Sequence, residues 1–312
     1  MTRAALLTTA LAVTLTNAAA PAAAQDGTFE WATYSGAEGT RRYKLFVPAG
    51  RDASKPAPLV VMLHGCTQDP DDFARGTRFN QAAAAAGVLV AWPEQTGTHQ
   101  PQKCWTWYDP AHQGRGGEPA IIAAITREVI ARYNADPARV YIAGVSAGAA
   151  MAVNTAAAYP ELYAAAGAHS GIAYRAASSV ADALGVMRSG PSGVDRLTEA
   201  LRTALGRRDL PLIVIHGGAD PVVSPFNAEQ LAHQFAIVAD LKGPHLESGT
   251  AGGYEVERRW FDDGEGNTML DLVLVKGLGH AWSGGSPEGT FTDAKGPDAT
   301  RLILDFLLRH SR

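Results

Sequence analysis

The stretch from Val140 to Ala152, VYIAGVSAGAAMA, places a serine between an apolar run and an alanine-rich run. Ser146 lies in a G-x-S-x-G pattern, in which a tight turn from a strand into a helix exposes a nucleophilic serine. Gly144 and Gly148 remove side chains where such a turn approaches neighbouring strands. The pattern alone is weak, because glycine, alanine and serine are common. Its place between a predicted strand and a predicted helix favours a nucleophilic serine over the alternative, a structural serine within a helix.

A serine nucleophile needs a general base, and His280 ends the run LVLVKGLGH, an apolar strand followed by a glycine-flanked loop. There it would take the serine proton and later return it to the leaving group. His64 ends an early strand ahead of the nucleophile, which is out of order for the base. His169 and His216 lie at strand ends, where a histidine more often packs in the core or supports a catalytic residue than acts as the base itself. The other histidines have helical or loop settings without that context: His99, His112, His233, His245 and His310.

The acid that would orient this base is predicted to be Asp220, in IVIHGGADPVVSP. It closely follows a buried strand and lies between Ser146 and His280, the order that α/β-hydrolases use. A carboxylate there would fix the tautomer of the histidine and stabilise the imidazolium. The alternative is that Asp220 only turns the chain before a proline, as Asp-Pro pairs often do. Asp240 and Asp271 are the reserve candidates.

An oxyanion hole requires two backbone N–H donors. Ala147 follows the nucleophile, and Cys66 lies in the loop after the early strand VVMLHG. Cys66 and Cys104 are the only cysteines, and an oxidising compartment favours a disulfide between them. In the chain-entropy model this disulfide would stabilise the fold by about 4 kcal/mol. The alternative is two free buried thiols.

Aromatic residues crowd around these positions. A disulfide at Cys104 would place the stretch CWTWYDP beside the oxyanion loop. Such residues supply large apolar surfaces, either to a substrate site or to the core, and the sequence leaves both uses open. The candidates for substrate binding are Trp105, Trp107, Tyr108 and, after the base, Trp282.

The elements that must position these residues alternate between strand and helix. Buried strands are predicted at 57–65, 88–92, 163–171, 210–220 and 269–280, and an antiparallel strand with a turn at 40–50. Helices are predicted at 79–87, 118–134, 224–241 and 298–310. Alternation of this kind predicts an α/β fold with a mostly parallel central sheet and helices on both faces. The segment from Ser170 to Leu210 is less regular and is a candidate lid or cap over the site.

The composition is that of an ordinary globular chain, 46% hydrophobic and 19% charged, with a formal net charge of −4. No basic region suggests nucleic acid and no charge run suggests a membrane surface, so neither partner is expected. No P-loop, dinucleotide fingerprint or H-E-x-x-H motif occurs, so no cofactor and no metal is expected. The oligomeric state cannot be read from the sequence.

The N-terminus has the pattern of a secretory signal peptide. Arg3 precedes an apolar run that ends near Leu15, and small residues end in an A-x-A site at Ala22–Ala24. A membrane anchor is the alternative, but the run is shorter than the ~20 residues that a span needs. We therefore expect cleavage after residue 24, export to the periplasm or the medium, and one catalytic domain at 25–312.

Five motifs together resemble the polyhydroxybutyrate depolymerase family of secreted esterases, whose near relatives are feruloyl and acetylxylan esterases. They are LHGCTQ, KCWTWY followed by RGGEP, GVSAGAAMA, HGGADPVVSP and GLGHAWSGG. The similarity runs from about Tyr43 to the C-terminus. The resemblance implies an α/β-hydrolase fold, a triad, two oxyanion donors and one disulfide. The residues that it implies are Ser146, Asp220 and His280; Cys66 and Ala147; and Cys66 with Cys104.

The function that this resemblance implies is a secreted serine esterase that hydrolyses polyhydroxybutyrate-type polyesters or their oligomers through an acyl-enzyme. A feruloyl or acetylxylan esterase is the alternative, because acyl specificity depends on the shape of the pocket. A secreted acyltransferase and a non-catalytic binding module are less favoured. Depolymerases of solid polyester often add a linker and a binding domain, whereas about one helix follows the His280 loop here. Action on crystalline polymer, as distinct from amorphous polyester or oligomers, is therefore left open.

Overall fold

The computed structural model describes residues 27–312, so the predicted signal peptide at 1–24 lies outside the described residues. From residue 57 to residue 251, at least one helix lies between each strand and the next. The strands are β1 (Gly27–Gly36), β2 (Gly39–Pro48), β3 (Ala57–Leu63), β4 (Leu89–Pro93), β5 (Ala135–Val145), β6 (Ala165–His169), β7 (Leu212–Gly217), β8 (Lys242–Ala251), β9 (Tyr254–Asp262), β10 (Thr268–Val275), β11 (Trp282–Ser283) and β12 (Thr292–Asp293).

The main sheet has ten strands in the order β1-β2-β4-β3-β5-β6-β7-β10-β9-β8. Its six central strands, from β4 to β10, are parallel to one another. The outer strands pair antiparallel on both sides. Every residue of β3, β4, β6 and β7 is buried, which explains their continuous apolar runs, because helices cover both faces of such a sheet.

The helices pack on both faces of the sheet, as predicted. They are α1 (Pro70–Thr77), α2 (Phe79–Ala86), α3 (Gly117–Tyr133), α4 (Ala147–Ala158), α5 (Val180–Ser189), α6 (Val194–Leu205), α7 (Phe226–Val238) and α8 (Ala299–Leu307). Met151 of α4 and Leu231 of α7 belong to one core cluster, whereas Phe79 of α2 and Leu304 of α8 belong to another. Within residues 27–312, no helix is long and apolar enough to cross a membrane.

The segment from Ser170 to Leu210 contains two helices, α5 and α6, rather than irregular chain. Ser179 caps α5 by accepting a hydrogen bond from the N–H of Asp182, an arrangement that stabilises the first turn. Buried leucines at every fourth position give α6 an apolar face, at Leu197, Leu201 and Leu205. The short lengths of both helices and the glycines between them account for the irregular look of the sequence.

The carboxyl ends of β3, β5, β7 and β10 lie at one edge of the sheet, because these strands are parallel. The loops that follow these ends carry the predicted site residues in chain order: the oxyanion residue Cys66, the serine, the aspartate and the histidine. Ligands of open α/β sheets bind at this edge. The topology therefore brings together residues that are far apart in the sequence.

Candidate active site

Ser146 lies on the turn between β5 and α4 in a backbone conformation that L-residues rarely adopt, with φ 56° and ψ −122°. Such strain persists only where the surroundings fix the chain. A Cβ atom at Gly148 would lie 2.1 Å from the carbonyl oxygen of Leu63, and one at Gly144 would lie 2.6 Å from the same oxygen. Both glycines are needed because the turn packs directly against the end of β3.

The structure brings Ser146, His280 and Asp220 into one hydrogen-bonded chain. Nε2 of His280 lies 3.0 Å from Oγ of Ser146, and Nδ1 of His280 lies 2.7 Å from Oδ2 of Asp220. With the proton on Nδ1, His280 donates to the carboxylate and accepts from the serine hydroxyl. This is the arrangement in which an imidazole can remove the proton of a serine.

Asp220 is held as a carboxylate by its neighbours. Its Oδ1 accepts hydrogen bonds from the N–H groups of Val222 and Val223, both at 2.8 Å. Nε2 of His216 is hydrogen-bonded to the carbonyl oxygen of Val223 at 2.9 Å and lies 3.5 Å from Oδ2 of Asp220. Burial by itself would raise the pKa of Asp220, but the nearby His216 ring and the hydrogen bonds from His280 and the Val223 amide hold that pKa well below its usual value. Asp220 therefore turns the chain and also presents a charged oxygen to His280.

The two reserve aspartates lie elsewhere. Asp271 is buried in β10 and pairs with Arg258, with an N–O distance of 2.7 Å. Asp240 lies in the turn between α7 and β8, with φ 49°. Among the described residues, neither makes a hydrogen bond to His280.

A cavity of about 210 Å³ opens beside Ser146. Two of the predicted aromatic residues, Trp107 and Tyr108, line it, and so do both predicted oxyanion residues, Cys66 and Ala147. The remaining lining residues are mostly apolar: Gln100, Gln102, Cys104, Ile172, Val180, Ala183, Leu184, Met187 and Val223.

The structure does not bring Trp105 and Trp282 to this cavity. Trp105 is fully buried and packs against His64, with ring centroids 5.8 Å apart. Trp282 stacks on His169 at 4.9 Å, and its Nε1–H donates to Oγ1 of Thr300. Both indoles pack in the interior behind the site, which was the alternative interpretation of the aromatic residues.

Cys66 and Cys104 form the predicted disulfide, with Cα atoms 4.2 Å apart. The loops that it joins are also linked by a hydrogen bond from the N–H of Thr67 to the carbonyl oxygen of Gln102, 2.7 Å long. Ala147 is the first residue of α4, so its N–H has no carbonyl one turn earlier in the helix to bond. Cys66 and Ala147, whose N–H groups are the predicted oxyanion donors, thus both line the cavity beside Ser146 and come from different parts of the chain.

Replacing both cysteines by serine is expected to lower the melting temperature by about 8 °C or more, because the disulfide contributes about 4 kcal/mol in the chain-entropy model. Turnover is expected to fall as well, since Cys66 loses its tether. Thermal unfolding and initial rates measure these effects. A thiol assay on untreated, unfolded wild-type protein is the control. Two free thiols in that assay would mean that the disulfide does not form.

Sequence reasoning named the segment that contains α5 as a candidate lid but singled out none of its residues as lining the site, and it missed the loop before Cys104. Val180, Ala183, Leu184 and Met187 all line the cavity, and their spacing of three, one and three residues defines one face of a helix. That spacing was a readable signal in a segment described as irregular. Gln100 and Gln102 also line the cavity, but nothing in the sequence distinguishes them from other polar loop residues.

A mostly parallel sheet with a nucleophile-type turn after its central strand and an aspartate and a histidine after later strands defines the α/β-hydrolase fold. The model of the family described as Esterase PHB depolymerase matches residues 41–252. The chain belongs to this family, which places it among carboxylic ester hydrolases.

Curated relatives agree with this family. Poly(3-hydroxyalkanoate) depolymerase C of Paucimonas lemoignei is 29% identical over 75% of this chain and 56% of its own length. Feruloyl esterase B of Neurospora crassa is 32% identical over 67% of this chain and 73% of its own length. Acetylxylan esterase A of Emericella nidulans is 31% identical over 63% of this chain and 66% of its own length. The chain thus spans little more than half the length of the depolymerase that it matches.

Solved structures show the same fold. An acetyl xylan esterase from Aspergillus awamori superposes with a TM-score of 0.69 at 21% identity, covering 81% of this chain and 94% of that one. A thermostable esterase superposes with a TM-score of 0.52 at 19% identity, covering 91% of this chain and 63% of that one.

Proposed function

We propose that this protein is a serine esterase in which Ser146 is the nucleophile, His280 the general base and Asp220 the residue that orients the base. The observation that carries the proposal is the continuous hydrogen-bonded chain from the serine Oγ through the imidazole to the carboxylate, at 3.0 Å and 2.7 Å. It is supported by the strained turn that exposes the serine beside a cavity.

In the proposed reaction, Oγ of Ser146 attacks the ester carbonyl while Nε2 of His280 takes the hydroxyl proton. The N–H groups of Cys66 and Ala147 stabilise the oxyanion that develops on the carbonyl oxygen. His280 then gives the proton to the departing alcohol, which leaves an acyl-enzyme. A water molecule, deprotonated by His280, attacks the acyl carbon and releases the acid and the free serine.

The substrate class that we propose is hydroxyalkanoate polyester or its oligomers. Support comes from the depolymerase relative and from the apolar cavity beside the nucleophile, lined by Ile172, Leu184, Met187 and Val223. Feruloyl or acetylated cell-wall esters are the second candidate, favoured by the relatives that carry those names. Transfer of the acyl group to an alcohol is less favoured, because no described feature provides an acceptor site.

We further propose that the protein acts outside the cytoplasm. The support is the disulfide between Cys66 and Cys104, since such bonds persist in oxidising compartments, together with the signal-peptide pattern at residues 1–24.

Product release decides between the two substrates. Purified enzyme would be incubated with amorphous polyhydroxybutyrate and with methyl ferulate in parallel, with Ser146→Ala as the control. Hydroxybutyrate or its short oligomers from the first reaction would support the depolymerase proposal. Release of ferulate alone would move the protein to the cell-wall esterases and leave the proposed triad intact.

Filling the cavity mouth should alter acyl-chain preference. Leu184 of α5 lines the cavity, so Leu184→Trp is expected to lower kcat/KM for p-nitrophenyl octanoate by about tenfold relative to p-nitrophenyl acetate. Leu246→Trp is the matched control, because Leu246 is exposed on β8 and does not line the cavity. An equal effect of Leu184→Trp on both esters would show that α5 does not contact the acyl chain.

A further inference from the structure

His64 is buried directly behind the loop that carries Cys66, and the proposed mechanism gives it no part. Its Nδ1 lies 2.7 Å from the carbonyl oxygen of Gly65, and its Nε2 lies 3.0 Å from the backbone nitrogen of Gln95. The N–H of Gln95 can only donate, so Nε2 of His64 must accept. Burial holds the pKa of His64 at about 4, so the ring is neutral at ordinary pH. Its single proton is therefore on Nδ1 and is donated to Gly65.

The carbonyl of Gly65 and the N–H of Cys66 belong to the same peptide group. In a trans peptide these two bonds point in opposite directions and share one plane. The hydrogen bond from His64 therefore fixes the plane that contains the Cys66 N–H and directs this N–H away from the buried ring. Cys66 lines the cavity beside Ser146, and His64 does not line it. The same hydrogen bond polarises the peptide group and strengthens the N–H as a donor.

Gln95 is itself held in place by hydrogen bonds, so its backbone N–H donates to His64 from a fixed position. Its side chain is fully buried. Its Nε2 donates to the carbonyl oxygen of Cys104 at 3.1 Å and to the carboxylate of Glu118, and its Oε1 accepts from Arg41. One glutamine thus connects the loop that begins at Cys104 with the ring that orients the loop at Cys66.

A second contact fixes the other side of Gly65. The N–H of Gly65 donates to Oε1 of Gln68 at 3.0 Å. A Cβ at Gly65 would lie 3.2 Å from that oxygen and 3.6 Å from the Cβ of Ser146. The Gly65–Cys66 peptide is thus restrained from two sides: Gln68 accepts from the N–H of Gly65, and His64 contacts the carbonyl oxygen of Gly65. Gly65 itself lies close to Ser146.

We propose that His64 is a positioning residue for the oxyanion hole: its Nδ1–H, held in one tautomer by the Gln95 amide, orients and polarises the Gly65–Cys66 peptide. The inference rests on the proposed function, in which the Cys66 N–H stabilises the tetrahedral intermediate. It assigns a task to the histidine that directly follows β3, a residue whose place ahead of the nucleophile excludes it as the catalytic base.

Three substitutions at one position separate the two hydrogen bonds of the ring. His64→Asn keeps a donor near the place of Nδ1, for Gly65. His64→Gln keeps an acceptor near the place of Nε2, for Gln95. His64→Leu keeps neither and retains most of the apolar volume. His245→Leu is the control, because His245 is half-exposed on β8 and stacks on Trp260, away from the cavity.

The measurements are kcat and KM for p-nitrophenyl butyrate and the inhibition constant of an alkyl trifluoromethyl ketone, whose serine adduct places an oxyanion in the hole. Loss of a complete oxyanion donor costs about 10²–10³ in kcat. We expect His64→Leu and His64→Gln to lower kcat by roughly 10- to 100-fold, as a partial loss of that donor. Affinity for the ketone should fall by the same factor, with KM nearly unchanged. His64→Asn should stay within about fivefold of wild type, and His245→Leu should equal it.

Melting temperatures and active-site titration show how much of each variant is folded. Each kcat is calculated per titrated active site. Retention of activity by His64→Gln but not by His64→Asn would overturn the inference, because the ring would then act only as an acceptor for Gln95. Equal losses in all three variants without weaker ketone binding would overturn it too. Activity in Ser146→Ala would instead overturn the proposed function, so the two failures are distinguishable.

Discussion

Ser146→Ala is expected to lower kcat for p-nitrophenyl butyrate by about 10⁴-fold or more, because removing the nucleophile of a triad leaves only binding and oxyanion stabilisation. Oγ of Ser146 has no substitute near His280, since the imidazole Nε2 is directed at this oxygen from 3.0 Å. Alanine also bears the strain at φ 56° about as well as serine does, so the variant should remain folded. Initial rates and thermal unfolding measure the two effects.

Ser170→Ala is the matched control. Ser170 is a buried serine that, like Ser146, has a positive φ, 52°, just after a central strand. Its hydroxyl contacts Nδ1 of His169 at 3.1 Å, a neutral hydrogen bond worth about 1 kcal/mol. This substitution should leave kcat within about tenfold of wild type. If Ser146→Ala were as active as Ser170→Ala, the serine of the G-x-S-x-G turn would be a structural residue and the proposed mechanism would be wrong.

The strand-end positions of the site could be predicted because each depends on a local pattern plus one general rule. An apolar run followed by a glycine loop marks the end of a buried strand, and parallel strands end at a common edge. The pattern applies to Ser146, Asp220 and His280, and it needs no knowledge of side-chain contacts. The two glycines that flank the serine follow from the same turn, as the close approach of Gly148 to β3 confirms.

The roles of the aromatic residues could not be predicted in the same way. Trp105 and Trp107 are two residues apart in a loop, and only the tertiary packing decides that Trp107 lines the cavity while Trp105 packs on His64. The task of His64 was hidden for a similar reason. It depends on a hydrogen bond from Gln95, 31 positions later in the chain.

The outer strands β1, β8 and β9 were missed because they carry little apolar signal, whereas the outer strand β2 was predicted. Nearly every residue of β8 is exposed, and β9 is only half-buried along most of its length. β8 is the edge strand and pairs only with β9, and the exposure of its residues shows that neither of its faces is covered. A strand of that kind has no reason to alternate in hydrophobicity, and a period-two pattern cannot reveal it.

Asp220→Asn is expected to lower kcat by about 10⁴-fold while the side chain keeps its shape, the size of effect that a wrong histidine tautomer produces. The surroundings determine how the new amide is oriented. The N–H groups of Val222 and Val223 both donate to Oδ1, so the amide oxygen must occupy that place. The amide nitrogen then faces His280 and, 3.5 Å away, Nε2 of His216.

An amide N–H that faces Nδ1 of His280 reverses the polarity of the hydrogen-bonded chain. Nδ1 must then accept, the ring proton moves to Nε2, and the imidazole presents a donor to Ser146 where it needs to accept a proton. Asp271→Asn is the control, because it removes another buried carboxylate, the partner of Arg258. It should lower the melting temperature with little change in kcat. If Asp220→Asn also kept kcat within tenfold, Asp220 would be only the residue that turns the chain before Pro221.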